Sequence, residues 1–345
     1  MLPGAPTLAR APESAAPHAE PRGGLAAPAH VLHRARLFID ARHGLGNRLR
    51  AIASAAVIAR RTDRELVIVW EPDDHCACRF GALFRHDGAV IETAFPRLVA
   101  LAGGTVYNYM AIEPGAQKDA PILPDEGAPI LGDEGAPILG DRGAPILGDA
   151  PPGRGGSRGD VYVRSAYPLV SPHVVPREVR AWLQALQPVP EVRDLVRSVR
   201  HPNQVAAHVR MASGPGYEHL SYESPANWPA EDHARLVAWR QRSHARHFMA
   251  RLDALVAEGQ AESIFLAADL PETYEAFRDR YGARLSWLPR DRHDRSSEQI
   301  RHALADMLLL GLAERILGST WSSFTDMARL LSRRVAVAEM SGRDF

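Results

Sequence analysis

The sequence predicts an α/β chain built from two Rossmann-like units. In the C-terminal half, short apolar strands alternate with helices. The same alternation appears in brief near the start of order. In both places a loop of small residues joins a strand to the helix that follows. Strands alternating with helices imply parallel sheets covered by helices on both faces.

The first unit opens at the apolar run Leu37-Phe38-Ile39, in a strand over 36–40. Gly44-Leu45-Gly46-Asn47-Arg48 follows, then a helix through Arg61 and a strand over Glu65–Trp70. A helix is expected over Arg177–Ala185, ended by Pro188 and Pro190. Val205-Ala206-Ala207-His208-Val209 reads as a buried strand between Pro202-Asn203 and Ser213-Gly214-Pro215-Gly216. A helix over Glu231–Glu258, a strand over Ser263–Ala268 and a helix over Pro271–Tyr281 come next, the last with Pro at its start. Arg284–Leu288, Arg315–Leu317 and Val335–Val337 read as strands. They are separated by helices over Ser297–Ala313 and Ser322–Arg333. The two units join near residues 185–202.

Length and composition agree with this division. The chain has 345 residues, 46% hydrophobic and 24% charged; at about 150 residues per domain, two domains are expected. Residues 1–33 are rich in Ala, Pro and Gly without periodicity, which predicts a disordered leader. Residues 120–150 hold an eight-residue repeat, A-P-I-L-G-D-E-G with variations, starting at Ala120, Ala128, Ala136 and Ala144. Its prolines and glycines interrupt helix and strand. It reads as a low-complexity insertion made by slippage of a short coding unit, and 151–159 continue it as loop. The expected division is leader 1–33, N-terminal α/β domain 34–200 with insertion 120–159, and C-terminal Rossmann-like domain 201–345.

Lys+Arg and Asp+Glu both count 41, so the formal net charge is zero. That argues against nucleic acid as the main partner. Lys118 is the only lysine, so a bound phosphate must be held by Arg, His or backbone N–H groups. No G-x-x-x-x-G-K-[ST] element occurs. Cys76 and Cys78 are too close for an ordinary disulfide and too few for a zinc site. No apolar run reaches the ~18 residues of a membrane span, and the N-terminus lacks the apolar core of a secretory signal. A cytoplasmic protein is expected, peripheral to the inner membrane where its acceptor is lipid-linked.

Four segments carry possible chemistry. His43-Gly44-Leu45-Gly46-Asn47-Arg48 lies between strand and helix, where glycines admit close approach and the helix start favours anions. Leu49 stands at the third glycine position, so it is not the dinucleotide fingerprint. It is equally a tight turn capped near Asn47, with Arg48 and Arg50 directed at a diphosphate or at solvent. His208-Val209-Arg210 ends a buried strand, where open parallel sheets bind ligands. Arg offers forked donors to phosphate and His can bond a base or ribose; the plain reading is a core histidine and a surface arginine. Asp306 sits among apolar neighbours on a helix, where a carboxylate is costly unless partnered. It accepts from guanine N1 and N2, or it lies on the solvent face. Gly318-Ser319-Thr320-Trp321-Ser322-Ser323-Phe324 precedes a helix. Ser322 and Ser323 there form an anion cradle, cap the helix, or do both.

Taken together, G-L-G-N-R, H-V-R, F-L-A-A-D at 265–269, and A-D-M-L-L-L followed by G-S-T-W-S-S-F resemble the shared motifs of a fucosyltransferase superfamily. It includes α-1,6- and α-1,2-fucosyltransferases, nodulation-factor fucosyltransferases and protein O-fucosyltransferases. The resemblance covers about residues 36–84 and 203–333. It implies a glycosyltransferase-B fold, two Rossmann-like domains facing a cleft, and inverting transfer of fucose from GDP-fucose to a hydroxyl of a glycan or lipid-linked saccharide. No metal or other cofactor is implied, and no D-x-D motif is present. Arg210 would hold the β-phosphate and His208 would contact the guanosine. Asp306 would accept from guanine, and Ser322 and Ser323 would bind the diphosphate. Gly44, Gly46, Asn47 and Arg48 would face them from the other domain. Glu218, ten residues after His208, would be the base, with His219, Glu223 and Asp232 as rivals. Met211 and Ala212-Ser213 depart from the second Arg or nearby acid of many relatives. Other readings are the same fold with another nucleotide sugar, a non-catalytic nucleotide-sugar-binding protein, and a structural α/β domain.

Overall fold

Two five-stranded sheets, every pairing parallel, organise the chain in this computed structural model. It describes residues 34–110, 113, 115–117, 120–124, 159–212, 225, 228–334 and 336–345. The leader 1–33, the repeat copies beyond residue 124, and Glu218, His219 and Glu223 lie outside the described residues.

The first sheet begins with β1 (Arg36–Ala41), whose RLFIDA sequence is buried from its second residue onward. Gly44 turns the chain into α1 (Leu45–Arg61), and β2 (Glu65–Val69) returns parallel to β1. Then come β3 (Phe84–Arg85), β4 (Ala89–Ile91), α2 (Pro96–Leu101), β5 (Thr105–Asn108) and β6 (Val161–Ser165). The order across the sheet is β4-β2-β1-β6-β5. The chain winds one way from β1 and then crosses to the other side, so a topological switch lies between β1 and β6. Sequence reasoning assigned no strand to β5 or β6. Both are four or five residues long, and both flank the low-complexity stretch that hides their pairing.

α3 (Pro176–Ala185), β7 (Gln187–Pro188) and α4 (Pro190–Arg197) lead to the second sheet; β7 pairs antiparallel with β3. The second sheet holds β8 (Val205–Val209), β9 (Ile264–Ala268), β10 (Leu285–Ser286), β11 (Arg315–Gly318) and β12 (Val337–Met340). Its order is β10-β9-β8-β11-β12. This is the doubly wound order 3-2-1-4-5, with its switch between β8 and β11. Its helices are α5 (Ala230–Arg242), α6 (Ala245–Ala257), α7 (Pro271–Tyr281), α8 (Ser297–Leu312) and α9 (Ser323–Leu331).

The expected helix over Glu231–Glu258 is two helices. Ser243 hydrogen-bonds the Ser341 hydroxyl at 2.7 Å in a buried contact, and the His244 ring accepts from the Arg246 amide to cap α6. A side chain tied to another strand's end and a cap inside the run together break it.

Arg34–Phe345 form one compact unit. One hydrophobic cluster runs from Ile39 and Ile52 through Ala206 and Phe265 to Leu304 and Met327. α1 packs on α9 and α4 on α8. Ile122, from the first repeat copy, is fully buried in this core, and its amide donates to the Val170 carbonyl at 2.8 Å. Among the described residues, no helix is long and apolar enough to cross a membrane.

Beneath the first switch, Asp40 is fully buried. Its oxygens meet Arg42 Nε at 2.6 Å and Arg164 Nη1 at 2.9 Å, and the Tyr162 hydroxyl donates to it at 3.0 Å. Removing the carboxylate leaves Arg42 with Glu71 and Arg164 with Glu113, but takes the partner of Arg42 Nε and of the Tyr162 hydroxyl. Asp40→Ala is therefore expected to cost about 1–3 kcal/mol, read as a lower denaturant midpoint at unchanged slope.

Candidate functional site

Strands of a parallel sheet all end at one edge, so the residues just past β9, β8 and β11 are neighbours. Those residues are Asp269, Arg210 and Ser319. The Arg210 amide donates to the Ser319 hydroxyl at 2.9 Å, and that hydroxyl donates to the His208 carbonyl at 2.9 Å. Ser319 thus stitches β8 to β11 at the switch point. Arg210 Nη1 meets Asp269 Oδ2 at 2.6 Å. Asp269 also accepts from the Met211 and Ala212 amides at 3.0 and 2.9 Å. Burial alone would push its carboxyl up, but the Arg210 charge and the two amides overcome that and hold it below the usual range. Arg210 is accordingly oriented by a carboxylate that is itself fixed to the backbone. Sequence reasoning quoted Asp269 within F-L-A-A-D without giving it a role. Its place directly after a strand that would neighbour β8 was the available signal.

His208 turns toward α9. Its Nδ1 lies 2.7 Å from the Thr325 hydroxyl, and its ring stacks on Phe324 with centroids 4.6 Å apart. Burial, helped by Arg210 and Arg240, holds its pKa down to about 3, so the imidazole is neutral near pH 7. Two residues apart on a regular strand, His208 and Arg210 would project to one side. They engage opposite neighbours of β8, because the chain leaves the strand after Val209.

Ser322 is the N-cap residue of α9, and Ser323 is its first residue. Ser322 is buried and its side chain makes no capping hydrogen bond, so capping is not its role. The preceding Trp321 is held at φ 59°, in the left-handed region.

The first sheet contributes the start of α1. Gly44 is its extended N-cap residue, and His43 before it has φ 63°. Gly46 shows why that position carries no side chain: a Cβ there would sit 2.9 Å from the Ser323 carbonyl oxygen and 3.0 Å from its hydroxyl. The N-terminal turns of α1 and α9 therefore meet at Gly46 and Ser323. Asn47 is half-buried in the same turn. His43, whose ring lies 5.1 Å from that of His75, is held down to about 4, chiefly by burial and then by the His75 charge.

Arg48 corrects the expectation placed on it. It is fully buried and directed neither at a diphosphate nor at solvent. It donates to the His43 and Glu71 carbonyls at 2.7 and 2.8 Å, pairs with Asp73 at 2.6 Å, and lies 4.8 Å over the Trp70 ring. Its work is to hold the Gly44 turn. Arg50 is also turned inward, donating to the Ala166 carbonyl at 3.0 Å beside the Tyr167 ring.

Asp306 is buried, as its apolar helix implied, which excludes the solvent-face reading. Arg290 Nη2 reaches its Oδ2 at 2.6 Å. Its Oδ1 is buried with no hydrogen-bond partner among the described residues, and burial raises its pKa despite Arg290. Arg290 thus occupies one lone pair of the carboxylate that was expected to take both guanine N–H donors. Asp232, in the first turn of α5, contacts Arg235. No cluster of His, Cys, Asp and Glu among the described residues is arranged to hold a metal.

No family model and no curated protein sequence matches the chain. Solved structures do resemble it. NodZ α-1,6-fucosyltransferase soaked with GDP-fucose is 16% identical, with 86% of this chain and 92% of that one covered and a TM-score of 0.48. POFUT1 in complex with GDP is 14% identical, with 90% and 98% covered and a TM-score of 0.49. An Arabidopsis thaliana FUT1 variant in complex with GDP is 14% identical, with 89% and 70% covered and a TM-score of 0.49.

The close helix contact and the buried imidazole each predict a measurement. Gly46→Val forces the α1 and α9 starts apart and is expected to cost about 1–3 kcal/mol, seen as a lower Tm. His208 keeps its proton off in the folded state, whereas its ordinary pKa is 6.5. As pH falls below 6.5 the unfolded chain takes up that proton and the folded chain does not, so stability is lost on acidification. His208→Gln should make the stability–pH curve shallower by roughly 1.4 kcal/mol per pH unit between pH 6 and 4.

Proposed function

We propose that this chain is a glycosyltransferase that takes its sugar from a GDP-sugar, fucose being the donor sugar that the motif set favours. The acceptor is a hydroxyl of a glycan or glycolipid. The observation that carries the reading is the meeting of two helix starts, at Gly46 and Ser323, around the Ser319–Ser323 loop that also holds Arg210. Each helix start presents unpaired amides and the positive end of a dipole. Two such ends brought together favour an anion between them, and a diphosphate suits that place.

In this reading the Ser322 and Ser323 hydroxyls and the first amides of α9 take the diphosphate, with the Gly44–Gly46 turn opposite. Arg210 faces the β-phosphate. The acceptor oxygen forms a bond to the anomeric carbon as the bond from that carbon to the β-phosphate oxygen breaks, with inversion. Negative charge gathers on the departing GDP, where a fixed guanidinium stabilises it. Asp269 keeps that guanidinium in place, and the reaction needs no metal for this role. Glu218, outside the described residues, takes the acceptor proton. Neutral His208 orders α9 through Thr325 and Phe324. Asp306 gives the base a single acceptor oxygen, Oδ1, beside Arg290.

A screen of GDP- and UDP-sugars, detecting released nucleoside diphosphate, tests the reading. Release from a GDP-sugar is expected to fall about 100- to 1000-fold in Arg210→Ala while the fold survives. Release from UDP-sugars alone, or GDP turnover indifferent to Arg210, defeats it.

A further inference from the structure

In the Ser319–Ser323 loop, Trp321 is a large side chain for which the donor site has no use. It is 37% exposed, and it belongs to none of the hydrophobic clusters of the core. Yet it is built with care. Its ring stacks on Trp239 of α5, centroids 5.7 Å apart and planes 19° apart, and the Arg242 guanidinium lies 4.7 Å from the Trp239 ring. Buried Arg240 donates to the Trp321 carbonyl at 3.4 Å.

The backbone holds Trp321 at φ 59°, a conformation that bulky residues rarely adopt. Strain of this kind persists where the surroundings impose it, and it gathers at ligand sites. Trp321 keeps 37% of its surface open, with one ring already stacked behind it.

Position narrows the ligand. Thr320 donates to the Ser341 carbonyl at 2.6 Å, and Ser341 bonds Ser243 at the end of α5. Trp321 and Trp239 therefore lie on the β12 side of the switch point. Asp269, Arg290 and Asp306 lie on its β9–β10 side. A nucleoside occupying the latter side leaves the Trp321 side to whatever receives the sugar.

We propose that Trp321, backed by Trp239, is the stacking platform for a pyranose ring of a saccharide acceptor. The placement rests on the transferase reading above. A pyranose has a face of C–H groups, which are apolar and weakly positive. An indole face is apolar and electron-rich, so the two match in both respects. A pre-stacked, backbone-locked ring loses little freedom when the sugar lands on it.

The test uses the full chain on an array of immobilised neutral pyranose oligosaccharides, with GDP binding measured separately by calorimetry. Trp321→Ala is expected to weaken saccharide binding about tenfold, with GDP affinity unchanged. Trp321→Phe keeps a ring and is expected to retain most of the binding. Trp321→Gly suits the left-handed backbone; it should keep the melting temperature while losing the saccharide, which separates a platform from a structural prop. Three results overturn the proposal: no neutral saccharide bound by the unmodified chain, saccharide binding indifferent to Trp321→Ala and Trp321→Gly, or GDP weakened as much as saccharide, which assigns the ring to the base instead. Saccharide binding through Trp321 without any GDP binding upholds the platform and removes the transferase reading alone.

Discussion

The contact between Gly46 and Ser323 is the constraint on which the rest of the arrangement depends. At 2.9 Å from a virtual Cβ to a carbonyl oxygen, nothing larger than hydrogen fits. The contact joins the helix after β1 to the helix after β11, and so places the carboxyl edge of one sheet against that of the other. It also sets two positive helix ends together, an arrangement that favours negative charge beside it; Asp326 in the first turn of α9 is one such charge. Both helices are preceded by a non-glycine residue in the left-handed region, His43 and Trp321. The chain has accepted local strain on both sides of the contact.

Around that contact, satisfied polar groups do the positioning. Ser319 links two strand ends through one hydroxyl. Asp269 draws on two amides and the Arg210 guanidinium, so Arg210 is oriented by the fold itself. Arg48 braces the Gly44 turn with two carbonyls, an ion pair and an indole face. These groups are fixed by partners within the fold and need little rearrangement to present a field to a ligand, which is the condition under which electrostatic stabilisation is most effective.

Much of this was legible in the sequence. β8 came from an apolar run bounded by Pro and Gly, α7 from the proline at its start, and β9 and α8 from the alternation of strand and helix; the placement of His208, Arg210 and Ser319–Ser323 at strand ends followed from parallel topology. What the sequence did not show were partners brought in through loops. Arg48 looks like an exposed helix-start arginine until Glu71 and Asp73 fold over it. Asp306 looks like a free carboxylate until Arg290, sixteen residues earlier, reaches it. The break between α5 and α6 needs Ser341, nearly a hundred residues away. Periodicity reports which face is apolar; it carries no record of which distant polar group will satisfy a given side chain.

The burial of Ile122 has a consequence for the repeat array. The tetrapeptide that fills this core position, Ala120-Pro121-Ile122-Leu123, recurs identically at 128, 136 and 144. Gain or loss of a whole eight-residue unit leaves the plug itself unaltered and changes only the length of the connection to β6. The buried position is therefore filled by the same four residues whichever copy stands first, so the core places no demand on the copy number.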